Sequence, residues 1–250
     1  MNFEFDGQTA LVTGASQGIG RATARGLAKQ GVHVAMAARR RGLLEALAKE
    51  IVADGGREPI VIEADLYPED SAERLAEAAI KQLGRVDILV NAAGGSRPIP
   101  VESGKAHWME AMTLNFFRLR ELSHAVLPQM RKQKWGRIVN ITGTSEPRML
   151  NAAFSAKAGV HAWSKGLSRE IGRHGVTINC IAPGKIMSEQ ILRKYTQEYR
   201  TEMSEKEIPV GRFGTPEELA SMAVYLASPI ASYVTGAMIP VDGGLRRYAY

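Results

Sequence analysis

The 250 residues contain a single cysteine, Cys180, so no intrachain disulfide framework can form. The first residues, Met1, Asn2, Phe3, Glu4, Phe5 and Asp6, carry no basic segment followed by an apolar core, and a cytoplasmic location is expected from that. No apolar run approaches the roughly 20 residues needed to span a bilayer, which excludes a helical membrane anchor within the sequence. The five histidines, His33, His107, His124, His161 and His174, share no ligand spacing with each other or with Cys180, so no metal site is expected. Repeats, low-complexity tracts and Pro/Gly/Ser-rich linkers are also lacking. The chain therefore reads as one domain over residues 1–250.

Charge of one sign is only mildly in excess. Lysine and arginine number 32 against 26 aspartates and glutamates, a net charge of +6. Outside Arg39-Arg40-Arg41 and Arg131-Lys132-Gln133-Lys134 the basic residues alternate with acidic ones, as in Glu45, Lys49 and Glu50. A nucleic-acid surface would need a basic stripe, so the excess is read as attraction for a small anionic ligand.

What is present is an alternation. Apolar runs at residues 9–13, 32–37, 59–63, 86–90, 136–141 and 176–181 are separated by segments of helical period. Strands this apolar are buried on both faces, which requires a parallel sheet covered by helices on each side. The expected architecture is α/β, a single doubly wound Rossmann-type domain with about seven parallel strands. Residues 184–214 follow the sixth run and include a polar helix expected over 190–206. In a doubly wound sheet, loops beyond the carboxyl ends of strands form the ligand crevice. This segment is read as a lid over the substrate.

The first strand ends at Thr13 and runs into Gly14, Ala15, Ser16, Gln17, Gly18, Ile19 and Gly20, a GxxxGxG loop opening a helix. Glycines there allow a tight turn and close approach to a pyrophosphate, while the helix N-terminus offers N–H donors. At the end of the second strand, an acidic residue would bind a ribose 2'-hydroxyl and repel a 2'-phosphate. Ala38 and Arg39 stand there instead, and an arginine fork suits phosphate. The expected cofactor is NADP(H), held by Gly14, Ser16, Gln17, Gly18, Ile19, Gly20 and Arg39.

Together with further motifs, this loop resembles the cofactor loop of the short-chain dehydrogenase/reductase family, and the resemblance covers essentially the whole chain. Asp65-Leu66 is similar to the family's adenine-contacting pair, and Asn91-Ala92-Ala93-Gly94 to its fourth-strand signature. Pro183-Gly184, Ile186 and Ser188 resemble the segment that contacts the nicotinamide, with serine in place of the more usual threonine. Val234-Thr235-Gly236 and Val241-Asp242-Gly243-Gly244 resemble the last strand. Asn115 stands in the long helix where the family keeps a structural and catalytic asparagine. The resemblance implies an oxidoreductase of the 3-oxoacyl-[acyl-carrier-protein] reductase type, acting on a small carbonyl or alcohol substrate and assembled as a homotetramer or homodimer.

In the family, a Tyr-x-x-x-Lys pair and a preceding serine supply catalysis: tyrosine exchanges the substrate proton, lysine lowers its pKa and binds the ribose, and serine orients the substrate oxygen. This chain keeps Lys157 but has Ala153 four residues earlier, and Gly143 where the serine would stand. Phe154 lies three residues before the lysine and has no hydroxyl. The loop over 144–152 is also shortened. The remaining candidates for proton delivery are a water chain through Asn115 and Lys157, or the hydroxyls of Thr142, Thr144 and Ser145. An alcohol normally needs an adjacent base for this work, and the sequence identifies none. Two readings follow: an oxidoreductase with altered proton delivery, or an NADP(H)-binding protein without redox turnover. Ala156, Val160, Trp163, Leu167 and Ile171 form an apolar stripe of helical period, read as core.

Overall fold

The computed structural model describes residues 3–144 and 146–248. Its strands are β1 (Thr9–Thr13), β2 (His33–Ala38), β3 (Ile60–Glu63), β4 (Ile88–Asn91), β5 (Gly136–Ile141), β6 (Val176–Pro183) and β7 (Met238–Val241). They form one parallel sheet in the order β3-β2-β1-β4-β5-β6-β7, the seven-stranded doubly wound arrangement expected from the alternation. The order reverses direction between β1 and β4, and in an open α/β sheet that switch opens a crevice beyond the strands' carboxyl ends.

Two apolar layers hold the sheet. On one face α1 (Gly18–Lys29), α2 (Arg41–Ala53) and α9 (Pro216–Ala227) bury Leu27, Leu44, Leu47, Ile51, Leu219 and Val224 against Val12, Val34 and Val90. On the other, α3 (Ser71–Leu83), α5 (Arg118–Gln133) and α6 (Ala152–Ile171) bury Leu75, Leu122, Val126 and Ile171 against Leu11, Leu89 and Ile178. Each fully buried leucine or isoleucine contributes roughly 1.5–3 kcal/mol relative to exposure. α1 and α9 approach closely because Gly26 has no side chain; a Cβ there would lie 3.0 Å from Val224 Cγ2.

Two sequence expectations change in detail. The polar helix expected over 190–206 is two helices, α7 (Glu189–Lys194) and α8 (Gln197–Glu207). Tyr195 is extended between them, and the Thr196 side chain accepts from the Tyr199 N–H to start α8 afresh. Asn115 lies in a π-helical turn, Thr113–Phe117, wedged between α4 (Lys105–Met112) and α5. Such turns displace a side chain from the regular helical ladder and recur at functional sites. In α6, Ala156, Val160 and Ile171 are buried as expected, while Trp163 and Leu167 are only partly covered.

Candidate functional site

A cleft of about 990 Å³ crosses the carboxyl ends of the strands. One end is the glycine loop. Gly14 adopts φ +67°, and a Cβ there would lie 2.8 Å from both Ala92 O and Ala93 N. A Cβ on Gly20 would meet Gly14 O at 2.5 Å. These positions admit only glycine, and the tight turn brings the N-terminus of α1 to the cleft. Thr13 Oγ1 fixes the opposite wall by accepting from the N–H groups of Ala92 and Ala93, both at 3.1 Å. This cradle fits a pyrophosphate approached by backbone.

The adenosine end carries Arg39, Asp65 and Leu66 on the cleft wall. It also carries an arginine that sequence reasoning passed over. Arg40 Nη2 donates to Gln17 Oε1 at 2.6 Å and to Ser16 Oγ at 3.1 Å, bridging the end of β2 to the glycine loop. The signal was visible in the triplet Arg39-Arg40-Arg41, but only the fold shows which guanidinium meets the glycine loop. Asp65 accepts from the Tyr67 N–H at 3.1 Å, fixing the loop after β3.

Ala92, Ala93, Gly94, Pro183, Gly184, Ile186 and Ser188 line the middle of the cleft. Two expected site residues lie outside its lining. Asn91 is buried beneath the floor, where Nδ2 donates to Asn140 Oδ1 at 2.9 Å and to Ser123 Oγ at 3.2 Å. Asn115 is also buried: Nδ2 donates to Ala111 O at 2.9 Å, and Oδ1 accepts from the Gly95 N–H at 3.2 Å. A Cβ on Gly94 would meet Asn115 Oδ1 at 2.7 Å, so Asn115 shapes the loop after β4 directly. Ser188 caps α7 by accepting from the Ile191 N–H.

At the other end, Lys157 projects from α6 into the cleft beside Thr142, Gly143 and Thr144. Burial among protein atoms lowers its ammonium to about 8, because desolvation penalises the charged form. Ala153 is buried, and its N–H is capped by Asn151 Oδ1 at 3.0 Å, so the helix start is intact without a tyrosine. Asn151 Nδ2 donates to Ser96 Oγ at 2.9 Å, tying that start to the loop after β4. Thr144 Oγ1 accepts from the Glu146 N–H at 3.0 Å, an assignment to loop structure. Ser145 lies outside the described residues. Thr142 differs from its neighbours: its hydroxyl lies 2.7 Å from His161 Nε2 and 3.0 Å from Ile181 O.

His161 was also missed in the sequence. It stands one helical turn after Lys157, so both side chains share one face of α6. Nothing in the local pattern pairs it with Thr142; the pairing requires β5 to end against α6.

The comparisons agree with this geometry. A family model described as Enoyl-(Acyl carrier protein) reductase matches residues 14–246. The chain belongs to the short-chain dehydrogenase/reductase family. It is 38% identical over 245 residues to a 3-oxoacyl-[acyl-carrier-protein] reductase of Synechocystis sp., covering 95% of this chain and 96% of that one. The solved structure of a 7α-hydroxysteroid dehydrogenase with NADH and 7-oxo glycochenodeoxycholic acid superimposes with a TM-score of 0.92 at 34% identity, covering 97% and 96% of the two chains. That of a 3-oxoacyl (acyl-carrier-protein) reductase from Agrobacterium tumefaciens C58 with NADP bound gives 0.92 at 31% identity, covering 97% and 95%. The family resemblance and fold expected from the motifs therefore hold, and this short-chain dehydrogenase/reductase site is built for a nicotinamide dinucleotide, with NADP(H) the form matched by its arginines. Among the described residues no helix is long and apolar enough to cross a membrane. No group of metal-ligating side chains occurs among them either.

Proposed function

We propose that this chain is an NADP(H)-dependent oxidoreductase that interconverts a carbonyl and an alcohol, with proton delivery that uses neither the usual tyrosine nor the usual serine. The observation that carries the proposal is the placement of Lys157 in the same cleft as the glycine loop and Arg40. The dinucleotide supplies hydride when bound. Gly14, Ser16, Gln17, Gly18, Ile19 and Gly20 bind its pyrophosphate, Arg39 and Arg40 the 2'-phosphate, and Asp65 and Leu66 the adenine. Ala92, Ala93 and Gly94 flank the ribose, which Lys157 holds. Pro183, Gly184, Ile186 and Ser188 orient the nicotinamide. Asn115 acts from beneath by holding the loop after β4 through the Gly95 N–H, and Asn91 ties the end of β4 to β5 and α5.

The similarity to 3-oxoacyl-[acyl-carrier-protein] reductases supports a 3-oxoacyl thioester as the first substrate class to try. Residues 184–214 serve as the substrate-covering lid of a single domain. Its cleft side carries Ile191, Tyr195, Tyr199 and Met203, which exclude water, beside Lys185 and Arg193. The protein works as a homotetramer or homodimer on a small-molecule substrate.

A second reading is NADP(H) binding without turnover, favoured by alanine at 153 and glycine at 143. One experiment separates the two. NADPH binding is measured by fluorescence, and NADPH oxidation is then followed with a panel of ketones and 3-oxoacyl thioesters. Binding with turnover supports the oxidoreductase; tight binding with silence across the panel supports the second reading.

A further inference from the structure

We infer that His161, acting through the Thr142 hydroxyl, is the proton source and sink that replaces the tyrosine. The inference rests on the oxidoreductase reading and names the acid–base groups of that same site.

The geometry singles out this pair. Three threonine or serine hydroxyls were candidates on the loop after β5. Thr144 Oγ1 accepts from the Glu146 N–H and holds the loop, and Ser145 lies outside the described residues. Thr142 lines the cleft next to Lys157, and its Oγ1 lies 2.7 Å from an imidazole nitrogen. A hydroxyl becomes useful in proton transfer when a base or acid sits within hydrogen-bond reach. Thr142 is only 1% exposed, yet it lines the cleft together with Gly143 and Lys157, so its hydroxyl sits at the cleft wall with the imidazole behind it.

The Thr142 oxygen has two settings. When Nε2 of His161 carries a proton, it donates to Thr142 Oγ1, and the threonine directs its own proton to Ile181 O, 3.0 Å away. When Nε2 is bare, the threonine donates to it. For carbonyl reduction the steps balance as follows. Hydride from NADPH forms the new C–H bond, and the carbonyl π pair moves onto oxygen. That oxygen takes the Thr142 hydroxyl proton, and Thr142 takes the Nε2 proton of the His161 imidazolium, leaving neutral imidazole. Alcohol oxidation runs the same transfers in reverse, ending with hydride on NADP+ and a proton on His161.

Three other groups bear on His161. Lys157 lies one turn earlier on α6. Arg246 approaches from the C-terminal segment, with its Nε 3.6 Å from Glu146 Oε1 on the loop after β5. Burial first, then the Arg246 and Lys157 charges, hold His161 below the ordinary imidazole value. The imidazolium needed for reduction is therefore a minority form at neutral pH and grows as the pH falls. The neutral form needed for oxidation is already present. Glu146 in turn accepts from the backbone N–H groups of Arg247 and Tyr248, which keeps the Arg246 segment in place.

The test compares wild type with H161Q, T142V and T142S, using NADPH with acetoacetyl-coenzyme A and the ketone panel. NADPH affinity by fluorescence and the thermal midpoint are measured alongside, so a folding defect is seen directly. H161Q keeps a hydrogen-bonding group but cannot titrate. Its expected kcat for reduction is about 10²-fold lower or less than that of wild type, with NADPH affinity within about threefold, and its pH profile loses the rise toward acid. T142V shows the same loss, T142S recovers most of it, and H161Q/T142V is no worse than either single change because both break one route. Should H161Q fail to fold, the T142V and T142S pair decides. An active wild type whose H161Q or T142V variants keep kcat and the acid rise overturns the relay alone. A wild type that binds NADPH and is silent across the panel overturns the oxidoreductase reading, and the relay with it.

Discussion

A Cβ placed on Gly143 would lie 3.2 Å from Lys157 Cδ, so the lysine stem already borders the space that a serine side chain would enter. A serine fits there only if the lysine gives by a few tenths of an ångström. Lys157 and position 143 are thus parts of one packing arrangement.

Restoring the family residues tests whether the site keeps the family geometry. A153Y returns a phenol one helical turn before Lys157, and G143S returns the hydroxyl at the cost of that small shift. The double variant A153Y/G143S is expected to raise kcat for 3-oxoacyl thioester reduction by about 10²-fold or more, the usual worth of a positioned acid. Steady-state NADPH oxidation checks it; no gain with NADPH binding intact places the substrate oxygen away from position 153.

The proposed role of Arg40 in choosing the dinucleotide is open to a direct test. Its guanidinium already touches the glycine loop through Ser16 and Gln17, where it can meet a 2'-phosphate. R40A is expected to weaken NADPH by roughly 10- to 100-fold, the worth of one or two charge-assisted hydrogen bonds, with NADH changed far less. Parallel fluorescence titrations of the two cofactors check it.

G14A tests the phosphate loop. Left-handed φ costs a residue with a Cβ roughly 1–2 kcal/mol, and here the added carbon also strikes the backbone of Ala92 and Ala93. The expected outcome is a lower thermal midpoint together with loss of NADPH binding, read by a melt with and without cofactor. An unchanged affinity would mean that the pyrophosphate lies elsewhere.

Lys157 carries a stability cost with a definite pH sign. Its folded value, about 8, is below the unfolded one, so the unfolded chain binds more protons between about 8 and the ordinary lysine range. The cost of burying the charge is fully present below pH 8 and fades as the pH rises toward 10. K157M, similar in volume, is expected to be more stable than wild type at pH 7 by on the order of 1 kcal/mol, after discounting for the side chain's partial access to the cleft. The advantage shrinks by pH 10. Thermal melts at both values check the sign.

The fold was legible in the sequence because its signal is repeated: each apolar run, such as 136–141, is followed by a helical period, and only a covered parallel sheet satisfies both. The glycine loop was legible for a related reason, since Gly14 and Gly20 occupy positions where the backbone leaves no room for a side chain. Missing residues were equally plain, because Ala153 and Gly143 are read by spacing from Lys157. What stayed hidden depends on contacts between distant segments. Arg40 could not be separated from Arg39 without the orientation of the turn after β2. The His161–Thr142 pair spans β5 and α6, and no local period announces it. Asn91 and Asn115 were recognised by motif, yet their side chains support the cleft from below, a distinction that spacing cannot carry.

The central claim is tested most directly by incubating the protein with NADPH deuterated at the transferable C4 position and acetoacetyl-coenzyme A or another active ketone, and locating the label in the product. One deuterium on the new carbinol carbon is expected for each NADPH oxidised. NADPH that binds tightly while no label reaches any ketone in the panel would contradict it.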